Sequence, residues 1–216
     1  MINTNAQFAM LTLILFGFNY PCKGQHTVNP INYDSLRQEL EGMYDTDQEI
    51  RRVLIDSIGL NSPESWKYIN QMANIDMRNK AKIETILEKY GWIEKSKIGG
   101  KASEGIFYTV QHTDLEFAEK YFPQFKRLAE KGEASPTHCA MMEDRLLMWK
   151  GKRQIYGTQS SSGLRPGNKN TIWPIENPAL VNELRKKIGF KTTVEENAKR
   201  LNAEYNPDEK LPVEKK

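Results

Sequence analysis

The sequence predicts a mainly α-helical (α+β) domain, an antiparallel helical core with one small β-hairpin and a short edge strand. Three observations predict it. Apolar residues return every three or four positions through two long segments, 34–58 and 63–90. Only about four residues join those segments, so they pack as an antiparallel pair. Strand-like patterning is brief and late, around 146–158 and 171–175.

The first helix rests on the stripe Leu36, Leu40, Met43, Asp47, Arg51, Leu54 and Ile58, with a break near Asp45 as an alternative. Gly59 and Asn61 end it. Ser62-Pro63-Glu64 reads as the next helix start, a capping hydroxyl followed by proline and an acid. Trp66, Ile69, Ala73, Asp76/Met77, Lys80, Ile83, Leu87 and Tyr90 carry its stripe to Gly91, with Trp92 folding back onto it. Residues 98–101 read as a flexible turn. Residues 103–112 fit a helix or a strand about equally, because Ile106-Phe107-Tyr108-Thr109-Val110 has strong strand propensity. Asp114 opens another helix, which Pro123 should bend, and Pro136 to Leu147 a further one. The hairpin is expected from 146–149 and 153–158 around Lys150-Gly151-Lys152, and the edge strand at 171–175. Two helices, 178–188 and 193–205, precede the end of the chain.

Composition narrows the classes of function. There are 31 Lys+Arg against 28 Asp+Glu in 216 residues, for a net charge of +3. Mixed charge of this kind suits neither a polyacidic tail nor a nucleic-acid-coating protein. Two cysteines build no disulfide scaffold. The uncharged apolar run Phe8 to Phe18 is about half as long as a membrane span needs, and it suits a signal peptide. The expected organisation is therefore a signal peptide at 1–24, a single globular domain at 29–190, and a C-terminal helix and mobile tail at 191–216. The protein is expected to be exported, periplasmic or secreted, with no stable membrane insertion after cleavage. Bulky Asn19-Tyr20-Pro21 disfavours lipid anchoring at Cys22. Cleavage would leave Cys139 as a lone, buried thiol.

Charge interrupts the apolar stripes. Asp47 and Arg51 sit one turn apart on the inward face of the first helix, and Asp76 holds the equivalent place on the second. Charges are seldom buried unless paired or used. Further along come Gln111-His112, Asp144-Arg145, Gln154, Tyr156, Thr158 and Gln159: an imidazole, amides, a hydroxyl and charges of the kind that line polar pockets.

The pattern Asp47-Gln48, Arg51, Gly91-Trp92, Gln111-His112, Asp144-Arg145 and Gly151-x-x-Gln154-x-Tyr156-Gly157-Thr158-Gln159 resembles a bacterial family of unknown function. The resemblance covers about 34–190, including Leu184-Arg185 and Gly189. Ile93 after Gly-Trp and Thr113 after Gln-His depart from the family's usual Pro and Ala. The resemblance implies a largely helical domain in which the Gln-His segment ends a helix, and it implies no established activity, substrate or cofactor.

Three readings follow. In the first, an enzyme acts as a hydrolase or lyase on a polar substrate. His112 is its acid–base group and Asp144 orients it, while Asp47, Arg51, Gln111, Arg145, Gln154, Tyr156 and Gln159 bind substrate. In the second, a non-catalytic module binds a small polar ligand or a cell-envelope component. In the third, the polar set is a buried structural network. No nucleophile elbow, P-loop, dinucleotide fingerprint or HExxH occurs. His112, Asp144 and Asp76 follow no metal-ligand spacing, so no cofactor or metal is expected. Geometry separates the readings: convergence on an open cavity favours the first two, and mutual satisfaction in the interior favours the third.

Overall fold

The computed structural model describes residues 31–59, 62–165, 167 and 169–212. The expected signal peptide lies outside them. Among the described residues eight helices and one two-stranded antiparallel sheet form the fold, as the periodicity predicts. No helix there is long and apolar enough to cross a membrane.

Helix α1 (Tyr33–Arg52) is capped by the Asn32 side chain and passes without a break at Asp45 into a π-helical turn, Val53–Ile58, closed by Gly59. Helix α2 (Ser65–Tyr90) starts slightly after the expected Ser62 cap, and Gly91 ends it at φ +68. Arg51 meets Asp76 and Glu39 meets Lys82, so the two helices run antiparallel. The buried stripe of α2 runs through Ile75, Asn79, Ile83, Ile86 and Leu87, while Trp66, Ile69 and Met77 are exposed. Trp92 meets residues further along the chain: its backbone N–H donates to Gln124 Oε1 and its ring stacks on Phe125 at 4.3 Å.

Apart from Gly99, residues 98–101 are helical rather than a flexible turn. A short α3 (Lys95–Ile98) and α4 (Gly100–Gln111) are separated by Gly99 alone. Burial decides the helix-or-strand ambiguity of 103–112. As a helix the segment buries Ile106, Phe107 and Val110 on one side and sets Gly105 against α1. Helix α5 (Leu115–Glu130), capped by Asp114, retains Pro123 internally, and α6 (Pro136–Trp149) is capped by Ser135. The core is a run of stacked rings, Trp92 on Phe125, Phe125 by Phe107 at 5.7 Å, and Phe107 on His138 at 4.2 Å. Burial pushes His138 down to about 4, which makes it a neutral packing residue at ordinary pH. Cys139 is buried and its thiol pushed up to about 11, so it is inert as a nucleophile.

The expected hairpin forms elsewhere. Residues 146–149 stay helical to the end of α6, and Gly151 at φ +66 turns the chain. Residues 153–158 build no strand, because the amides of Ile155, Tyr156 and Thr158 are claimed by the Asp144 side chain instead of a neighbouring strand. The sheet pairs β1 (Ser160–Ser161) with β2 (Thr171–Ile172), in the register Ser160 to Ile172 and Ser161 to Thr171. Helix α7 (Val181–Ile188) and α8 (Val194–Arg200), the latter closed by a Thr193–Glu196 capping box, bury Val181, Val194 and Ala198 against Ile172 and Ile175. The described part of the expected mobile tail is tied down. Ile172 N–H donates to Glu204 O, Glu204 N–H to Asn170 O, and Arg153 to Glu209 O.

One packing contact sets the site. Helix α4 runs parallel to α1: Arg37 reaches Ile98 O, Tyr44 lies 5.9 Å from Tyr108, and Asp47 faces His112. Gly105 makes this approach possible, since a Cβ there would meet the Leu40 carbonyl oxygen at 2.5 Å. Gly105→Ala should therefore force the helices apart and lower stability by about 1–3 kcal/mol in urea unfolding. A change below about 0.5 kcal/mol would show that the contact yields freely.

Candidate functional site

Two separate polar clusters contain the residues singled out in the sequence. The first lies where the C-terminal part of α1, the middle of α2 and the end of α4 meet. Asp47 is only 2% exposed. Its Oδ1 accepts from Arg51 Nε at 3.1 Å and its Oδ2 from Gln48 Nε2 at 2.7 Å. Arg51 continues to α2, where Nη2 donates to Asp76 Oδ1 at 2.5 Å and Nη1 lies 2.9 Å from Met72 Sδ. A guanidinium fork is the group that can serve two carboxylates in one plane. The π-helical turn begins two residues after Arg51, and such turns often accompany functional sites because they re-aim the residues beside them.

His112 is the C-cap of α4, so the Gln-His segment does end a helix. Its Nδ1 lies 3.4 Å from Asp47 Oδ1, longer than the usual N–H···O distance of about 2.9–3.0 Å. Nδ1 is sealed from solvent, and the 19% of the side chain that reaches solvent lies on the rest of the ring. Tyr108, one turn earlier, stacks on the imidazole at 5.7 Å.

Electrostatics divide the protons. Burial would raise Asp47, but His112 and Arg51 outweigh it and hold the carboxyl down at about 2. Burial lowers His112, and the positive charges of Arg51 and Arg145 add to that against the pull of Asp47. Burial raises Asp76 against the attraction of Arg51. Burial, joined by repulsion from Arg51, lowers Arg145 to about 10, which leaves it a cation at neutral pH. At pH 7 the site therefore holds a carboxylate beside a neutral imidazole, the pairing of an acid–base dyad.

Asp47, Asp76 and His112 each offer one ligand atom, all within 4.8 Å of one another. That spacing suits a divalent cation in principle. Arg51 already stands between the two carboxylates, so a metal would have to displace a guanidinium held by three contacts. An open groove of ≈ 850 Å³ runs beside the cluster, lined by Tyr44, Gln48, Tyr68 and Ile75 among others. Asp47, Arg51, Asp76 and His112 do not line it; Gln48 is the shared wall.

The second cluster corrects the expected pairing of His112 with Asp144. Asp144 is fully buried, and its carboxylate accepts from the amides of Ile155 (2.7 Å), Tyr156 (3.1 Å) and Thr158 (3.0 Å) and from the Thr158 hydroxyl (2.9 Å). Burial pushes its pKa up to about 6 against those donors, so it is ionised at neutral pH. Nothing in that arrangement reaches His112. Gln154, also fully buried, donates to Gln159 O at 3.0 Å and Trp173 O at 2.6 Å and accepts from Gln159 N–H at 2.9 Å. The Gln159 side chain donates to Met141 O and to the Thr158 hydroxyl. Tyr156 contributes backbone: its N–H goes to Asp144 and its carbonyl to Arg185, with the ring 6.4 Å from Phe190. Gly157 holds φ +66 where a Cβ would meet Val194 at 2.6 Å. These residues satisfy one another and fold the loop.

Of the expected site residues, then, Asp47, Arg51 and His112 come together, with Arg145 close enough to feel Arg51 and for its charge to act on His112. Gln111 is the residue before His112. Asp144, Gln154, Tyr156 and Gln159 belong to the loop network. Three participants escaped the expected set. Asp76 is visible as a charge on an apolar stripe and Gln48 as part of the family pattern; Met72 carries no signal.

A helical domain carrying a buried carboxylate–guanidinium–imidazole cluster is the class of protein this fold defines. The chain belongs to a family of unknown function, DUF6624, which matches residues 34–209. No curated protein and no solved structure matches it.

If the loop network is structural, Gln154→Leu should lower stability by on the order of 3 kcal/mol in urea unfolding. It leaves the Gln159 amide and the Trp173 carbonyl buried without partners, while Gln159 O keeps only the Trp173 N–H. A loss below about 1 kcal/mol would return Gln154 to the pool of ligand-binding residues.

Proposed function

We propose that the Asp47–Arg51–His112 cluster is an acid–base catalytic site acting on a polar substrate, in a hydrolase or lyase. The observation that carries this reading is the neutral, partly solvent-accessible imidazole of His112 against a buried, ionised Asp47. Asp47 is fixed by Gln48 and Arg51 and so faces His112 from one direction. It favours a proton on Nδ1, which leaves Nε2 free to accept one from substrate or water. The imidazolium that results is stabilised by the Asp47 charge. Arg51, tied to Asp76 on α2, keeps the carboxylate from turning away. Asp144 has no place in this mechanism.

The apolar run at 8–18 supports export, with the substrate then a periplasmic or extracellular polar compound or an envelope component. The ≈ 850 Å³ groove that shares Gln48 with the cluster favours a second reading, a non-catalytic module that binds its ligand in that groove beside the cluster, without turnover.

The test is a hydrolase and lyase substrate screen of the purified protein beside its His112→Gln variant. Wild type should turn over one substrate class, and His112→Gln should lower kcat by about 10²–10⁴-fold with its unfolding midpoint little changed. Turnover that survives His112→Gln would contradict the acid–base role. Saturable ligand binding with no turnover across the screen would favour the binding module.

A further inference from the structure

We propose that Arg145, with the Gln111 amide on the helix that faces it, is the docking point for an oxyanion group, phosphate or carboxylate, on the ligand that this site takes. The inference rests on the cluster being a functional site and adds the chemical class of what enters it.

The protein compensates its other enclosed arginines fully. Arg51 is matched by Asp47 and Asp76. Arg185, 1% exposed, donates to Thr192 O, the Thr192 hydroxyl and Tyr156 O, with Phe190 under its plane at 4.5 Å. Arg145 has none of this. Among the described residues no carboxylate lies within ion-pair distance of it, and its Nε is sealed from solvent with no acceptor. The Trp149 ring lies 5.4 Å from its guanidinium carbon and packs against the fork without neutralising it. The neighbouring acids are all spent: Asp144 on the loop amides, Glu143 on Lys126 at 3.0 Å, Asp47 and Asp76 on Arg51. A half-buried cation repelled by a second cation, Arg51, is costly unless something negative joins it.

Gln111 gives the independent observation. It is 2% exposed, yet neither its amide nitrogen nor its amide oxygen has a partner among the described residues. Gln111 lies one turn beyond Phe107, which stacks on His138 of α6 at 4.2 Å, so it occupies the α4 face that meets α6. Arg145 lies two turns beyond His138 on α6. An amide donor and an unmatched guanidinium on facing helices, next to His112, suit a planar or tetrahedral oxyanion. Held there, such a group would bring the rest of a ligand to the imidazole.

The experiment titrates the full chain with inorganic phosphate and, separately, with acetate, at constant ionic strength against chloride. Calorimetry reads the binding, and thermal unfolding and circular dichroism check the fold. Saturable binding of either anion is expected, and the arm that binds tells phosphate from carboxylate chemistry. Arg145→Met should weaken it at least 10-fold, Arg145→Lys by less, and His112→Gln by no more than about 2–3-fold. In wild type, phenylglyoxal should modify Arg145 and the bound anion should protect it, read by mass spectrometry; this arm holds even if Arg145→Met does not fold. No saturable binding of either anion, undiminished binding by Arg145→Met, or saturation that leaves Arg145 unprotected overturns the proposal. Loss of turnover in His112→Gln without anion binding would leave the acid–base reading standing and this one fallen. Anion binding at Arg145 without turnover would do the reverse.

Discussion

A carboxylate sealed from water must find its compensation inside the protein, and Asp47 draws the site around itself for that reason. Removing the hydration of one such charge costs several kcal/mol, so it persists only where charge and hydrogen bonds replace the lost water. Gln48 supplies one bond, Arg51 supplies the opposite charge, and His112 closes the remaining side. Because Arg51 also holds Asp76, the compensation of one helix is fastened to the next. The same contacts that make Asp47 tolerable therefore fix the angle at which it meets the imidazole. Structural necessity and the geometry of the proposed site are here one set of bonds.

The rest of the fold delivers these groups. Gly105 lets α4 lie against the α1 backbone, and two turns later that close approach brings His112 to Asp47. The loop after α6 is a second, independent solution to the same problem of buried charge. Asp144 is compensated by backbone amides and a hydroxyl rather than by a cation, so it needs no counter-ion, and the loop folds around it. Arg185 then ties that loop to α7 and the turn before α8. Arg145 follows Asp144 in sequence but points its chemistry elsewhere, since successive helix residues project about 100° apart.

Much of this was legible in the sequence. Helical periodicity placed α1 and α2, and charges breaking the apolar stripes marked Asp47, Arg51 and Asp76, because a buried charge is rare enough to be informative. What could not be read was partnership. Asp144 and His112 are both suited to a dyad by type, and only the fold shows that Asp144 faces the loop and Asp47 the imidazole. The missing hairpin has the same origin: Ile155 and Tyr156 have strand propensity, but a side chain eleven residues earlier takes their amides. Trp92 likewise carries no mark that Gln124 and Phe125 would claim it. Long-range pairings of this kind leave no periodic trace.

The most direct test of the account is an NMR titration of the His112 ring in the wild type and in the Asp47→Asn and Asp144→Asn variants. In the wild type the ring should titrate below the ordinary histidine value of about 6.5. Asp47→Asn removes the carboxylate that most stabilises the protonated ring while Arg51 and Arg145 remain, so the titration should move lower still. Asp144→Asn should leave it unmoved. A titration displaced by Asp144→Asn but not by Asp47→Asn would contradict the central claim that Asp47 is the partner of His112.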